Sequence, residues 1–355
     1  MNYLKLLFFS VLFCTALRAG AFVYADNQQL ISNTDSLRVV LPVTIDYDNK
    51  IVTPFVNIKV NGKLVKVVFD TGSSGLRILS GALHNLMPDS SVARVSYTYG
   101  DNVHSLGIRG VVVKAEISFE NLKTLSPVNI MSIDSTRYGR HEAWTATGDS
   151  AVIHSNHFRD CAAIMGVGLR GRLKSGAVVS PLRQIPGNGK FIIMFPAYGN
   201  TKGAVIINPT PADETGFVYF QLPAGEPGVV LPGHGWPDNQ LPGCIAINDA
   251  MEYLPTMLDT GNPDIQIFSP DYERERAVPP RNYITMQIGG ARDTTVVKTG
   301  FNIGDDRVRG KDFIYMTNTT KEKRLVFGMR FFFEFDVLYD QQNGIVGIRK
   351  KLHKK

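Results

Sequence analysis

The chain has 355 residues, 44% of them hydrophobic and 20% charged, and its 38 Lys and Arg against 32 Asp and Glu give a formal charge of +6. These proportions belong to a folded globular protein and exclude a disordered chain, a collagen-like chain and a polytopic membrane protein. The length fits roughly two domains or one large all-β unit, and 33 Gly with 19 Pro fit many short strands joined by turns.

At the N-terminus, Lys5 precedes an apolar run from Leu6 to Leu17. The run is too short to span a bilayer comfortably and suits the core of a signal peptide. Ala19-Gly20-Ala21 and Val23-Tyr24-Ala25 both offer small-residue cleavage patterns, and polar Asp26-Asn27 favours cleavage after Ala25. The expectation is an exported protein, periplasmic or secreted, with no stable membrane insertion once residues 1–25 are removed. That segment carries Lys5 and Arg18 and no acid, so 36 bases against 32 acids leave +4. A nucleic-acid role needs a clustered basic face with aromatics and is not expected; the basic end from Arg349 to Lys355 reads as a solvated tail. Cys14 leaves with the signal. Cys161 and Cys244 remain, either paired in an oxidising compartment or kept as two buried thiols.

Downstream the chain reads as β almost throughout. Leu37–Leu41 and Pro54–Val60 are strand-like, Asn61-Gly62 is a strong hairpin turn, and Val65–Phe69 follows it. Similar runs occur at Val111–Phe119, Phe191–Phe195, Ala204–Ile207, Phe217–Leu222, Tyr283–Ile288 and Leu325–Tyr339. Asp134–His157 and the Pro/Gly-rich Pro223–Gly243 read as long loops. Within the first, His154 and His157 have a spacing that suits a metal, but no third ligand is evident, and a solvated loop is the better reading.

One internal repeat stands out. Val67-Val68-Phe69-Asp70-Thr71-Gly72 recurs as Thr256-Met257-Leu258-Asp259-Thr260-Gly261, and each copy is followed by an apolar-apolar-Gly element, Ile164-Met165-Gly166 and Val326-Phe327-Gly328. A single Asp-Thr-Gly is ordinary turn chemistry. Two copies in two repeated halves imply two related lobes, and if these pack about a pseudo-twofold axis the aspartates face each other. Like charges that close cannot both ionise, so the pair shares one proton. The charged member then deprotonates a water and the protonated member polarises a carbonyl.

These segments resemble the pepsin-like aspartic peptidases over nearly the whole chain after residue 25. Val68–Ser74 and Met257–Gly261 resemble the two catalytic signatures, and Ser96-Tyr97-Thr98-Tyr99-Gly100 resembles the start of the flap hairpin. Val326-Phe327-Gly328, Phe331, Tyr339-Asp340 and Val346-Gly347 keep the spacing of the family's C-terminal pattern. The resemblance implies an all-β, bilobal fold with a central cleft: an N-terminal lobe over residues 26–212, a C-terminal lobe over 213–355, and first and last strands that meet in a joining sheet. It implies Asp70 and Asp259 as the catalytic dyad. Thr71 and Thr260 would interlock the two loops, the N–H groups of Gly72 and Gly261 would orient the carboxylates, and Ser73 would bond the outer oxygen of Asp70. Tyr99, with Gly100 beside it, would be the flap residue over a polypeptide substrate. The implied reaction is hydrolysis by activated water, with no metal or cofactor.

Two positions depart from the family pattern. Asn262 stands where Ser or Thr follows the second Asp-Thr-Gly, and Arg77 stands where a tryptophan braces the flap tyrosine. An exported aspartic endopeptidase is the first expectation. The alternative is a pepsin-fold protein with weak or lost catalysis that binds a peptide, protein or glycan. Tyr97 and Tyr99, two apart on one strand, also fit a structural tyrosine ladder.

Overall fold

The protein is described from a computed structural model that covers residues 37–47, 51–83, 94–100, 105–139, 141–150, 152–155, 157–159, 161–170, 178–224, 235–291, 293, 295–319 and 321–352. The expected signal segment with Cys14, residues 225–234 of the Pro/Gly-rich stretch and the last three residues of the basic tail lie outside them.

Strand accounts for 51% and helix for 5%, and the sheets curl into half-barrels, so the fold is all-β. The first strands are β1 (Val39–Asp46), β2 (Thr53–Val60), β3 (Lys63–Asp70), β4 (Ser74–Leu79), β5 (Val95–Tyr99), β6 (Leu106–Ala115), β7 (Ile117–Phe119) and β8 (Leu122–Lys123). They continue with β9 (Val128–Tyr138), β10 (Thr145–Ala146), β11 (Ala163–Val167), β12 (Lys190–Met194), β13 (Lys202–Ile207) and β14 (Val218–Gln221). Then come β15 (Leu241–Ile247), β16 (Ala250–Leu258), β17 (Ile265–Ser269), β18 (Arg276–Ala277), β19 (Tyr283–Ile288), β20 (Val297–Asn302), β21 (Ile314–Asn318) and β22 (Arg324–Phe327). A six-residue helix, α1 (Met329–Glu334), leads into β23 (Phe335–Asp340) and β24 (Ile345–Lys350).

Local sequence explains the strands nearest the site. β1 alternates, with Val39, Leu41, Val43 and Ile45 buried and the residues between them facing out. β2 and β3 form a hairpin on Asn61-Gly62, whose φ values of 48° and 82° match the right-handed strand twist. β3 begins exposed and ends in four buried residues, Val67 to Asp70, because it passes from a free hairpin tip into the middle of the sheet between β2 and β11.

The strands form two sheets. The larger runs β14-β24-β23-β12-β13-β1-β2-β3-β11-β4-β9-β6-β5, with β10, β7 and β8 as side branches; the smaller runs β18-β21-β17-β22-β16-β15-β19-β20. β1 and β24 share the larger sheet without pairing, because β13, β12 and β23 lie between them. The sheets also do not divide at residue 212, since β14, β23 and β24 return to the larger one. Within each sheet the same local pattern recurs around Asp-Thr-Gly. β3 pairs in parallel with β11, β11 antiparallel with β4, and β4 in parallel with β9. β16 pairs in parallel with β22, β22 antiparallel with β17, and β17 in parallel with β21.

The run Leu325–Tyr339, which reads as one strand in the sequence, is broken into β22, α1 and β23. Gly328 forces the break: any Cβ there would overlap the carbonyl oxygens of Asn262 and Asp264, so the chain turns against the second Asp-Thr-Gly loop. Phe327, Phe331, Phe332, Phe333 and Phe335 are all buried, and Phe331 packs against Phe327 at 5.6 Å and Phe335 at 4.6 Å between ring centroids. Asp134–His157 is also less of a loop than its composition suggests, since β9 runs to Tyr138 and β10 pairs back onto it. Cys161 and Cys244 are two buried free thiols.

Candidate active site

β3 and β16 deliver Asp70 and Asp259 from the two sheets to one point. Behind the carboxylates the loops interlock. Thr71 N–H donates to Thr260 Oγ1 at 3.0 Å, and Thr260 N–H donates to Thr71 Oγ1 at 2.9 Å. Each hydroxyl in turn donates across the junction, Thr71 to the carbonyl of Leu258 at 2.8 Å and Thr260 to that of Phe69 at 2.7 Å. Both threonines are fully buried. Four hydrogen bonds in a dry junction fix the distance between the loops, and an orphaned member costs about 1–3 kcal/mol.

Each glycine lies against the opposite aspartate. A Cβ at Gly72 would overlap the Asp259 carboxyl, and one at Gly261 would come within 2.6 Å of Asp70 Oδ1. Each glycine N–H donates to its own carboxylate, Gly72 to Asp70 Oδ1 at 2.7 Å and Gly261 to Asp259 Oδ1 at 2.8 Å. Glycine is required at both places for space rather than for conformation. Burial first, and the neighbouring Asp70 second, hold the Asp259 carboxyl well above the ordinary carboxylate range; Gly261 and the more distant Arg170 pull the other way.

The residues after the glycines break the symmetry. Ser73 is buried and its hydroxyl donates to Asp70 Oδ2 at 2.5 Å. Asn262 is turned elsewhere: its Nδ2 donates to Gln266 Oε1 at 3.0 Å and its Oδ1 accepts from Asp264 N at 3.0 Å. The amide follows the chain into β17 instead of reaching Asp259, because Gln266 lies four residues on and the carbonyl of Asn262 is taken by Met329 N.

Tyr99 is buried under the hairpin of β5 and β6. Arg77 donates to its hydroxyl at 3.3 Å, and its ring meets Tyr97 at 4.8 Å, His157 at 5.8 Å and Phe158 at 6.0 Å. Burial drives the Tyr99 phenol far above its ordinary value. Arg77 is itself buried, stacks over Tyr97 at 3.9 Å and donates to the Ser74 carbonyl at 2.7 Å, tying the tyrosine pair to the Asp70 loop. Tyr97, on the same strand face, is the less buried of the two. Gly100 is exposed with φ of 73°; the hairpin tip, 101–104, lies outside the described residues. His157 is thus packed against Tyr99 rather than standing in a solvated loop, and among the described residues no group of three His, Cys, Asp or Glu is arranged for a metal.

Sequence reasoning missed an ion pair beneath the first loop, its acid buried and its arginine half-buried. Arg170, three residues past β11, pairs through Nε with Asp238 Oδ1 at 2.6 Å, while Asp238 Oδ2 accepts from Leu169 N at 2.6 Å. Arg170 Nη2 donates to the carbonyl of Gly72 at 2.6 Å and lies 3.1 Å from Met257 Sδ. No signal in the sequence joins residues 68 positions apart, one of them inside a Pro/Gly-rich stretch.

No protein-family model matches the chain, and neither does any curated protein.

Proposed function

We propose that the chain is an aspartic endopeptidase with a bilobal, pepsin-like arrangement of its two sheets, hydrolysing an extended polypeptide between Asp70 and Asp259. The observation that carries this reading is the reciprocal threonine junction, which holds two carboxylates against each other's glycines. The raised Asp259 carboxyl keeps a proton where a free carboxyl has lost it. Asp70 meets a donor on each oxygen, the Gly72 N–H on one and the Ser73 hydroxyl on the other.

In this mechanism a water between the pair gives a proton to the Asp70 carboxylate as its oxygen attacks the scissile carbonyl carbon. Asp259 gives its proton to the carbonyl oxygen. The tetrahedral intermediate collapses as the proton on Asp70 passes to the leaving nitrogen; the C–N bond breaks, and the intermediate's hydroxyl returns a proton to Asp259. No acyl-enzyme forms. The substrate strand would pair with the β5–β6 hairpin.

A second reading, a pepsin-fold protein that binds a peptide, protein or glycan without cleaving it, draws on Asn262 being committed to Gln266 and on Tyr99 being buried. Cleavage of an unfolded-peptide library from acid to neutral pH separates the two. Products from the wild type and none from Asp70→Asn support the peptidase; a folded wild type that leaves the library intact at every pH supports binding.

A further inference from the structure

A half-buried arginine is an unusual neighbour for a proton-sharing acid pair. Desolvation opposes the Arg170 charge, and Asp238 with Tyr97 and the two aspartates more than offsets it, so the guanidinium stays cationic. Ion pairs of this burial add little to stability against an apolar replacement, so stability alone gives no reason for one here. Its placement is specific. Asp238 holds both the guanidinium and the backbone N–H of Leu169, which leaves the side chain one orientation. From there Arg170 touches both halves: the Gly72 carbonyl in the first loop, and Met257, two residues before Asp259, in the second.

We infer that Arg170, anchored by Asp238, is a positioning residue of this site, fixing the Gly72 peptide and supplying the half-buried positive charge that sets the pH range in which the aspartate pair works. This rests on the peptidase reading. The other groups facing the pair are accounted for. Arg183 donates to the Leu169 carbonyl and faces Asp238. Tyr339 is buried beside Thr71. Tyr97 and Tyr99 face from β5, with Arg77 engaged by them. Among the described residues Arg170 is therefore the cation that acts on both carboxylates, and Asp238 is the acid that tempers it.

The consequence is a pair of opposite shifts. Without the cation, the protonated pair is favoured and the pH limits of activity rise. With Asp238 neutralised, the full Arg170 charge acts on the pair and the limits fall. The experiment is the pH profile of kcat/KM for the wild type, Arg170→Met, Arg170→Lys and Asp238→Asn, each checked for folding by circular dichroism. Expected are a rise of about one pH unit in Arg170→Met, a fall of similar size in Asp238→Asn, and limits within about 0.3 unit of wild type but a lower kcat in Arg170→Lys. A purely structural role would lower the rate and leave the limits in place, and that result, or shifts of the same sign, overturns the inference. If Arg170→Met does not fold, unchanged limits in Arg170→Lys beside lowered limits in Asp238→Asn support it, and unshifted limits in both refute it. If the wild type cleaves nothing, the peptidase reading fails by itself. The same opposite shifts are then read from the carboxyl ¹³C titration of Asp70 and Asp259: their presence sustains the electrostatic role, and their absence removes it.

Discussion

The two Asp-Thr-Gly loops share a backbone and differ in what lies behind the carboxylate. Each has a parallel strand at its back, a glycine against the other aspartate and a threonine locked into the facing loop. Yet Asp70 is held by Ser73 as well as Gly72, while Asp259 is met by Gly261 and, across the pair, by Asp70, its own Asn262 being turned away. Symmetry in the main chain fixes where two acids stand. A single side chain on each loop then makes their surroundings unequal, and it is Asp259, with no side-chain donor from its own loop, that burial and the neighbouring acid hold toward the neutral form.

The largest break in the comparison removes either acid. Asp70→Asn and Asp259→Asn are each expected to lower kcat/KM by at least about a thousandfold, because the proposed mechanism gives each a separate proton transfer, measured on the best library peptide. Next comes the shared junction. Thr71→Val and Thr260→Val keep the volume and remove the hydroxyl, and each should cost about 2–3 kcal/mol in denaturant unfolding. Near-equal costs support a symmetric lock; a large effect at one site alone would break it.

Stability separates the loops in the opposite sense. A carboxyl whose folded pKa lies above its unfolded value binds a proton that the unfolded chain has lost, so stability falls as pH climbs from about 4 toward that raised value. Asp259→Asn removes the slope and should stabilise the fold at pH 7 relative to the wild type, read from denaturation midpoints across pH. Asp70→Asn keeps the slope that burial of Asp259 causes and brings no comparable gain. The smallest effects belong to the flanking residues. Ser73→Ala should lower kcat/KM severalfold by removing the donor on Asp70 Oδ2, whereas Asn262→Ala should leave kcat/KM in place and cost about 1 kcal/mol of stability from its lost bonds to Gln266 and Asp264.

Much of this was legible in the chain itself. Apolar runs ending in Asp-Thr-Gly, each with a later apolar-apolar-Gly element, mark strands whose pairing follows from their repetition, and Asn61-Gly62 marks its hairpin because both residues tolerate positive φ. Arg77 beside the tyrosines was legible as a departure from a pattern. The rest was set by contacts that leave no periodic trace. Asn262 is turned by Gln266 and by the neighbouring Met329, and Arg170 meets Asp238 only through the folding of a Pro/Gly-rich segment. The α1 break is likewise a tertiary effect, imposed at Gly328 by carbonyls just past the second Asp-Thr-Gly.

The proton shared between the acids is the central claim, and carboxyl ¹³C NMR of Asp70 and Asp259 across pH, in the wild type and in Asp70→Asn, tests it most directly. The expected result is an Asp259 resonance that titrates well above the ordinary carboxylate range and moves down in Asp70→Asn, while staying raised because its burial remains. Two carboxyls that ionise independently in the ordinary range, unchanged by the substitution, would contradict it.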